Sequence, residues 1–296
     1  MNANAGKSRA GMYPPPARLQ IVSTKLVEGI FAGNYRSVFR GQGIEFDEVR
    51  EYVETDDARL IDWNVSSRFG GAFTKTFREE REITLFLVMD VSPSVFMDQS
   101  KAGRRHTAAV LLSLLSFAVI QNSDRVGAAF FSDKIEKWIP PRKGNRHAMR
   151  LIGDMLRFKP EGRGSDLALA LRASGEALKR RGIVFILSDF KTGGYQRELL
   201  ILARRHDVIA VRIFSPADDE FPETGLAYLQ DPETREVLVS AGLSGKFREA
   251  YNDYRQTHRR QWLRDCGRLG VSAVEISTED DPCEKLIQFF KHRRGK

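Results

Sequence analysis

The chain has 296 residues, 42% hydrophobic and 29% charged, with a net charge of +8. That length accommodates one large α/β domain and a smaller companion, and that apolar content excludes general disorder. Cys266 and Cys283 are the only cysteines; they exclude a disulfide framework and lack paired metal-site spacing, so a reducing compartment fits best.

The charge is uneven. Lys101 to Arg181 holds 17 Lys/Arg against 7 Asp/Glu, whereas residues 1–80 hold 11 of each. A basic stretch can meet nucleic acid, an anionic membrane or an acidic protein face. No aromatic-interleaved basic run, helix-turn-helix, zinc-finger or RNP pattern supports nucleic acid, and scattered solvated charge is the plainer account.

Met1 to Pro16 reads as a flexible tail without the apolar core of a signal peptide. Arg18 to Phe31 carries Leu19, Val22, Leu26 and Ile30 at helical spacing. Residues 17–80 are expected to form a small N-terminal module with some β-structure, and residues 81–293 the main domain. Ile83 to Met89 is a continuous apolar run, the mark of a strand buried on both faces. A helix from Arg104 to Gln121 follows; its apolar run Ala108–Ile120 is too short for a membrane span of about 20 residues. Strands at Val126–Phe131 and Glu136–Ile139, helices at Arg146–Arg157 and Asp166–Arg180, and a buried strand at Ile183–Leu187 come next. Then come a helix at Tyr195–Arg205 and a strand at Val208–Phe214. A hairpin insertion near 227–240 turns at Asp231-Pro232-Glu233-Thr234. The long helix Lys246–Leu269 carries Phe247, Tyr251, Tyr254 and Trp262 near one stripe, expected to be core packing. A strand at Val271–Ile276 and a helix at Pro282–Lys291 finish the chain. Apolar strands alternating with helices predict a doubly wound, mostly parallel sheet with right-handed crossovers, in a soluble cytoplasmic protein.

The first buried strand runs into Asp90-Val91-Ser92-Pro93-Ser94. A carboxylate and two hydroxyls, each two residues apart, can converge in a tight loop, and such oxygens suit Mg²⁺ (or Mn²⁺). Ligands of open α/β sheets sit at the carboxyl ends of strands. Gly162-Arg163-Gly164-Ser165-Asp166 opens a helix and offers the Ser165 hydroxyl, and Asp189 follows the strand Ile183–Leu187 with a second carboxylate. If those two strands are neighbours, Asp90, Ser92, Ser94, Ser165 and Asp189 meet in one crevice. The plain alternative is helix capping by Asp90 and Ser92, with Asp189 an ordinary turn residue.

These motifs resemble the von Willebrand factor A superfamily, whose metal-ion-dependent adhesion site uses D-x-S-x-S, then Thr, then Asp. The chain more closely resembles the bacterial domain-of-unknown-function 58 family from about Phe31 to Phe290. The marks are Gly41-x-Gly43-x-Glu45-Phe46, Val49-Arg50-x-Tyr52, Asp56-Asp57-x-Arg59-x-Ile61-Asp62-Trp63-Asn64, Glu79-Glu80-Arg81-Glu82 and Phe131-Ser132-Asp133-Lys134-Ile135-Glu136. The resemblance implies a von Willebrand factor A-type domain after a small module. It also implies a partner, a MoxR-type AAA+ ATPase, and a chaperone-like role in maturation or assembly of other proteins. Ser165 stands where the family has Thr, and Pro93 where a small residue is usual.

The adhesion-site reading makes the chain a non-catalytic protein-binding module, with an acidic residue of the partner completing the metal shell. A Mg²⁺-dependent phosphohydrolase is the enzymatic alternative, using Asp90 as nucleophile or ligand; but Ser92 occupies the position where such an enzyme places its general acid. No P-loop, G-x-S-x-G or H-E-x-x-H is present. For Asp56, Asp57, Arg59, Asp62, Trp63 and Arg68, an ion-pair network with Trp63 as packing is favoured over a docking surface.

Overall fold

The computed structural model describes residues 44–79, 82–96, 103–216, 226–230, 237–241 and 245–294. The expected tail Met1–Pro16 and helix Arg18–Phe31 lie outside them. The chain divides into a small unit, Gly33–Glu82, and a larger one that holds Ile83–Lys296.

In the small unit, β1 (Ile44–Glu51) pairs antiparallel with β2 (Phe73–Glu79), and the short helix α1 (Trp63–Phe69) lies between them in sequence. Asp62 starts α1 by accepting from the backbone N–H groups of Asn64 and Val65 at 3.0 and 3.3 Å. Gly70, in the left-handed region at φ 73°, ends it. The acidic residues pair locally: Asp56 binds the Arg50 guanidinium at 2.7 and 2.8 Å, and Asp62 lies 3.2 Å from Lys75 Nζ. Those contacts hold the Asp56 carboxyl below the usual carboxylate range, with the Arg50 hydrogen bond the largest cause. Two expectations are corrected here. The acids are matched by Arg50 and Lys75 rather than by Arg59, and Trp63 is 73% exposed rather than packed. Trp63 stands at the first position of a helix of about two turns.

The larger unit is built on six strands. They are β3 (Thr84–Asp90), β4 (Arg125–Phe131), β5 (Ile135–Arg142), β6 (Ile183–Ser188), β7 (Asp207–Phe214) and β10 (Ser272–Ser277). β8 (Leu226–Gln230) and β9 (Val237–Ala241) form a separate antiparallel pair, the expected hairpin insertion; its turn lies outside the described residues. The main sheet has the order β10-β7-β6-β3-β4-β5, parallel throughout except for β5. It is the expected doubly wound, mostly parallel α/β architecture. β5 extends beyond the expected Glu136–Ile139 to include Pro140 and Pro141; proline donates no ladder hydrogen bond and is tolerated on this edge strand.

Helices cover both faces. α2 (Pro93–Phe96) follows β3, and α3 (Arg104–Gln121) and α4 (Asn145–Arg157) flank the next two strands in sequence. α5 (Leu167–Ala177), α6 (Gln196–Arg205), α7 (Gly245–Arg268) and α8 (Pro282–Arg294) complete the set. α5 stops before the expected Arg180 because Arg205 donates to the carbonyls of Gly175 and Leu178 at 2.7 and 3.3 Å and so satisfies its last turn.

The central strands show why they are apolar without alternation. Phe86, Val88, Val184, Ile186 and Ala210 face a core shared with α5, α6 and Trp262 of α7. Phe185 points to the opposite face, 6.3 Å from the Phe290 ring of α8. Replacing Phe86, which is fully buried with its ring 4.8 Å from Trp138, by Ala is expected to lower unfolding free energy by about 3–5 kcal/mol. Urea titration followed by circular dichroism measures it.

The aromatic stripe of the long helix behaves differently from expectation. Trp262 and Cys266 are core residues, but Tyr254 is 57% exposed. Trp262 and Cys266 lie in the last third of α7, and Tyr254 in its middle third.

β3 and β6 are hydrogen-bonded neighbours, with Met89 opposite Leu187. The chain leaves β3 for α3 on one face and leaves β6 for α6 on the other. The loops therefore part between these two strands, and a crevice opens at their carboxyl ends.

Candidate metal centre

Asp90 ends β3 inside the domain, 1% exposed. Its Oδ1 accepts from the Ser92 N–H at 2.9 Å. The Ser92 carbonyl in turn accepts from Val95 and Phe96 N–H at 3.0 Å each, so Ser92 starts α2. Pro93 therefore occupies the first helical position, where its fixed φ fits and its missing N–H would have had no partner. The proline stiffens the loop without displacing a hydrogen bond. Ser92 Oγ and Ser94 Oγ lie 3.0 Å apart.

The other two loops close on the same carboxylate. Asp90 Oδ2 accepts from Ser165 Oγ at 3.1 Å and from Ser188 Oγ at 2.7 Å. Asp189, 5% exposed, accepts from Lys191 N–H through Oδ1 at 3.2 Å. Its Oδ2 is buried with no hydrogen-bond donor, and the Lys191 ammonium stands 3.8 Å away. Burial first, and the Asp189 charge second, push the Asp90 carboxyl up to about 6. Hydrogen bonds thus connect Asp90 to Ser92, Ser165 and Ser188, and Ser94 to Ser92. Asp189 joins them through its charge.

Ser188 was legible only as the neighbour of Asp189, yet it makes the shortest contact to Asp90. The support of Ser165 was also hidden. Glu136 Oε1 accepts from Ser132 Oγ, Glu161 N–H and Gly162 N–H at 2.8, 3.0 and 2.6 Å. Asp133 Oδ2 accepts from Arg163 N–H at 3.3 Å, a bond that is the main cause of its lowered pKa. Asp166 N–H donates to the Ser132 carbonyl at 2.7 Å, and Thr192 Oγ1 donates to the Ser165 carbonyl at 3.2 Å. The run Phe131–Glu136 is the clamp that holds the Ser165 loop against β3. Its two acids, spaced for a β-turn, were the available signal.

The donor set fits a hard divalent cation. Carboxylate and hydroxyl oxygens are the ligands Mg²⁺ favours, the two buried carboxylates are matched by a single ammonium, that of Lys191 beside Asp189, and one of their oxygens has no hydrogen-bond donor. Among the described residues no group of three or more His, Cys, Asp or Glu is placed to hold a metal, so at this crevice hydroxyls must supply the remaining ligands.

Against protein-family models, residues 48–261 match the family described as protein of unknown function DUF58. The chain belongs to this family. The DUF58 match begins within β1 and ends in α7, so it includes all three loops of the crevice. An uncharacterized protein of Mycobacterium tuberculosis (strain ATCC 25618 / H37Rv), Rv1480, is 28% identical over 283 residues, 93% of this chain and 88% of its own length. Among solved structures, the conserved hypothetical protein BatB from Bacteroides thetaiotaomicron is similar over 72% of this chain and 100% of its own, at 16% identity and a TM-score of 0.45. The SpRpn10 VWA domain is similar over 70% of this chain and 93% of its own, at 12% identity and a TM-score of 0.37. Among the described residues, no helix is long and apolar enough to cross a membrane.

Proposed function

We propose that this DUF58 chain is a non-catalytic protein-interaction module whose grip depends on Mg²⁺ (or Mn²⁺) at the Asp90 crevice. Its partner is a MoxR-type AAA+ ATPase, and the pair serves chaperone-like maturation or assembly of other proteins. One observation carries the reading: two buried carboxylates, Asp90 and Asp189, share a crevice with the hydroxyls of Ser92, Ser94 and Ser165, and an Asp189 oxygen has no donor.

Asp90, Ser92 and Ser94 would hold the ion, with Ser165 and Asp189 completing the protein's share. Once bound, the ion supplies a Lewis-acidic position for a carboxylate of the partner. Neutral hydroxyls make up most of the donor set, so the protein leaves much of a divalent charge uncompensated. A partner carboxylate then contributes both charge and a ligand. The hydrogen bonds of Ser165 and Ser188 to Asp90 preorganise the loops. No histidine takes part in the hydrogen bonds around Asp90, which fits binding better than proton transfer.

The test is calorimetric titration of Mg²⁺ and Mn²⁺ into wild-type and Asp90→Ala protein, alone and with the ATPase. One ion bound by wild type, none by the variant, and ATPase association only with the ion present are the expected results. Equal ATPase binding by both proteins without metal would remove the ion from the mechanism.

A further inference from the structure

We infer that Phe190 is the positioning residue of the metal centre: its ring, held by Tyr195 and Trp262, fixes the turn that aims the Asp189 carboxylate. This rests on the metal reading above and adds what sets one of its ligands.

Phe190 follows Asp189 and takes φ 53°. That is the left-handed region, where a Cβ crowds the backbone and glycine or asparagine is the usual occupant. The same loop shows the ordinary solution four residues on. There Gly194 supplies a left-handed turn at φ 79°, with open space at its Cβ position. A phenylalanine in this conformation is unfavourable for the backbone, so it persists only where its surroundings over-determine it.

Those surroundings are aromatic. The Phe190 ring centre lies 5.1 Å from that of Trp262 and 5.9 Å from that of Tyr195, with the planes tilted in both pairs. Both partners are anchored outside the loop. Tyr195 starts α6, its carbonyl accepting from Leu199 N–H at 2.9 Å, and Trp262 belongs to the core cluster through α7. The Trp262 Nε1–H is buried without an acceptor. The indole therefore serves this place through its ring contacts and not through its donor.

The two peptide N–H groups that flank the Phe190 Cα each serve one carboxylate of the crevice. Phe190 N–H donates to Ser188 Oγ at 3.0 Å, and Ser188 Oγ donates to Asp90 Oδ2 at 2.7 Å. Lys191 N–H donates to Asp189 Oδ1 at 3.2 Å, which leaves Oδ2 as the oxygen without a hydrogen-bond donor. The φ and ψ of Phe190 are the soft torsions between these two N–H groups. A return to the right-handed region would swing one of them off its acceptor, and would also take the ring out of its contact with Trp262 and Tyr195. Glycine would meet the backbone requirement and lose the restraint, so substitution separates the two.

The experiment compares the full chain with Phe190→Gly, Phe190→Leu, Trp262→Leu and Trp262→Phe. Calorimetry reads Mg²⁺ affinity, and nuclear magnetic resonance reads amide hydrogen exchange in the metal-free protein. Phe190→Gly is expected to weaken Mg²⁺ binding by about tenfold or more. It should also speed exchange of the Lys191 amide by about tenfold or more, with the amides of β3 and β6 within about twofold of wild type. Trp262→Leu, which touches no ligand, should act in the same direction on both readouts. Combined with Phe190→Gly it should cost no more than about a further twofold, because the two changes break one contact. Trp262→Phe keeps an aromatic ring and should stay within about twofold of wild type on both readouts. If the Gly variant loses protection in β3 and β6 as well, Phe190→Leu decides: it keeps apolar bulk and should still weaken Mg²⁺ binding and speed Lys191 exchange. A Gly variant that binds Mg²⁺ and protects Lys191 as well as wild type overturns the inference, since the position then needs only backbone freedom. Faster Lys191 exchange with unchanged Mg²⁺ affinity also overturns it, and leaves the metal reading standing. Wild-type protein that binds no Mg²⁺ overturns both, and that failure shows before any substitution is made.

Discussion

Replacing Gly162 by Ala is expected to unseat the Ser165 loop and weaken Mg²⁺ binding by at least about tenfold. The reason is space. A Cβ at this position would lie 2.0 Å from Ser132 Oγ, 2.3 Å from Asp133 Oδ1 and 2.6 Å from Ser132 Cβ. Ser132 and Asp133 cannot yield cheaply, because Ser132 Oγ already donates to Glu136 and Asp133 accepts from the Arg163 N–H. The loop must therefore move, which breaks the 2.6 Å bond from Gly162 N–H to Glu136 and carries Ser165 away from Asp90. Steric overpacking and the loss of a hydrogen bond to a charged acceptor each contribute about 1–3 kcal/mol. Differential scanning calorimetry should show the midpoint falling by about 4–24 °C, from about 2–6 kcal/mol at roughly 2–4 °C per kcal/mol for a domain of this size. Gly193→Ala is the matched control: nothing lies within 4 Å of its Cβ position, and its midpoint should stay within about 1 °C of wild type. A Gly162→Ala protein with wild-type midpoint and wild-type Mg²⁺ affinity would show that the clamp does not position Ser165.

Asp189→Asn should separate binding from stability, raising the second while removing the first. In the metal-free protein, burial and the Asp189 charge hold the Asp90 carboxyl at about 6, above its ordinary 3.8. A carboxyl whose folded pKa is raised keeps its proton longer in the folded state than in the unfolded one. Its stabilising contribution is complete below 3.8 and is lost as pH rises to about 6, so the penalty is present in full at neutral pH. Burial is the larger cause; removing the Asp189 charge recovers the smaller part, on the order of 1 kcal/mol. The Lys191 contact sacrificed is partly exposed and 3.8 Å long, and contributes little. Without metal above pH 6, the variant should therefore melt a few degrees higher than wild type. With Mg²⁺ the order should reverse, because the wild type gains binding free energy and the variant does not. The proton competes with the ion for Asp90, so wild-type Mg²⁺ affinity should fall about tenfold per pH unit below 6 and level off above it. Thermal shift assays with Mg²⁺ or EDTA, from pH 5 to 8, measure all three effects. A variant that is less stable than wild type in EDTA, or equally stabilised by Mg²⁺, contradicts the paired-carboxylate account.

Much of this was legible before any coordinates. Continuous apolar runs such as Ile83–Met89 and Ile183–Leu187 are strands buried on both faces, because a parallel sheet covered by helices exposes neither side. Right-handed crossovers then leave few ways to order the strands. The D-x-S-x-S loop after a buried strand put Asp90, Ser92 and Ser94 at the carboxyl edge, since that is where a β–α turn must run. The sequence by itself therefore determined the fold class, the element order and which loops share an edge, because periodicity and turn chemistry are local properties.

Contacts between distant segments were decided only by the tertiary structure. Ser188 reaches Asp90 across 98 positions, Ser165 across 75, and Glu136 holds Gly162 across 26. Trp63 and Tyr254 illustrate the same limit from the other side: each looks like a core residue by type, and each is exposed. Whether a side chain is buried, paired or left without a donor depends on what the fold brings against it. That information is distributed over the whole chain and absent from any one window of it.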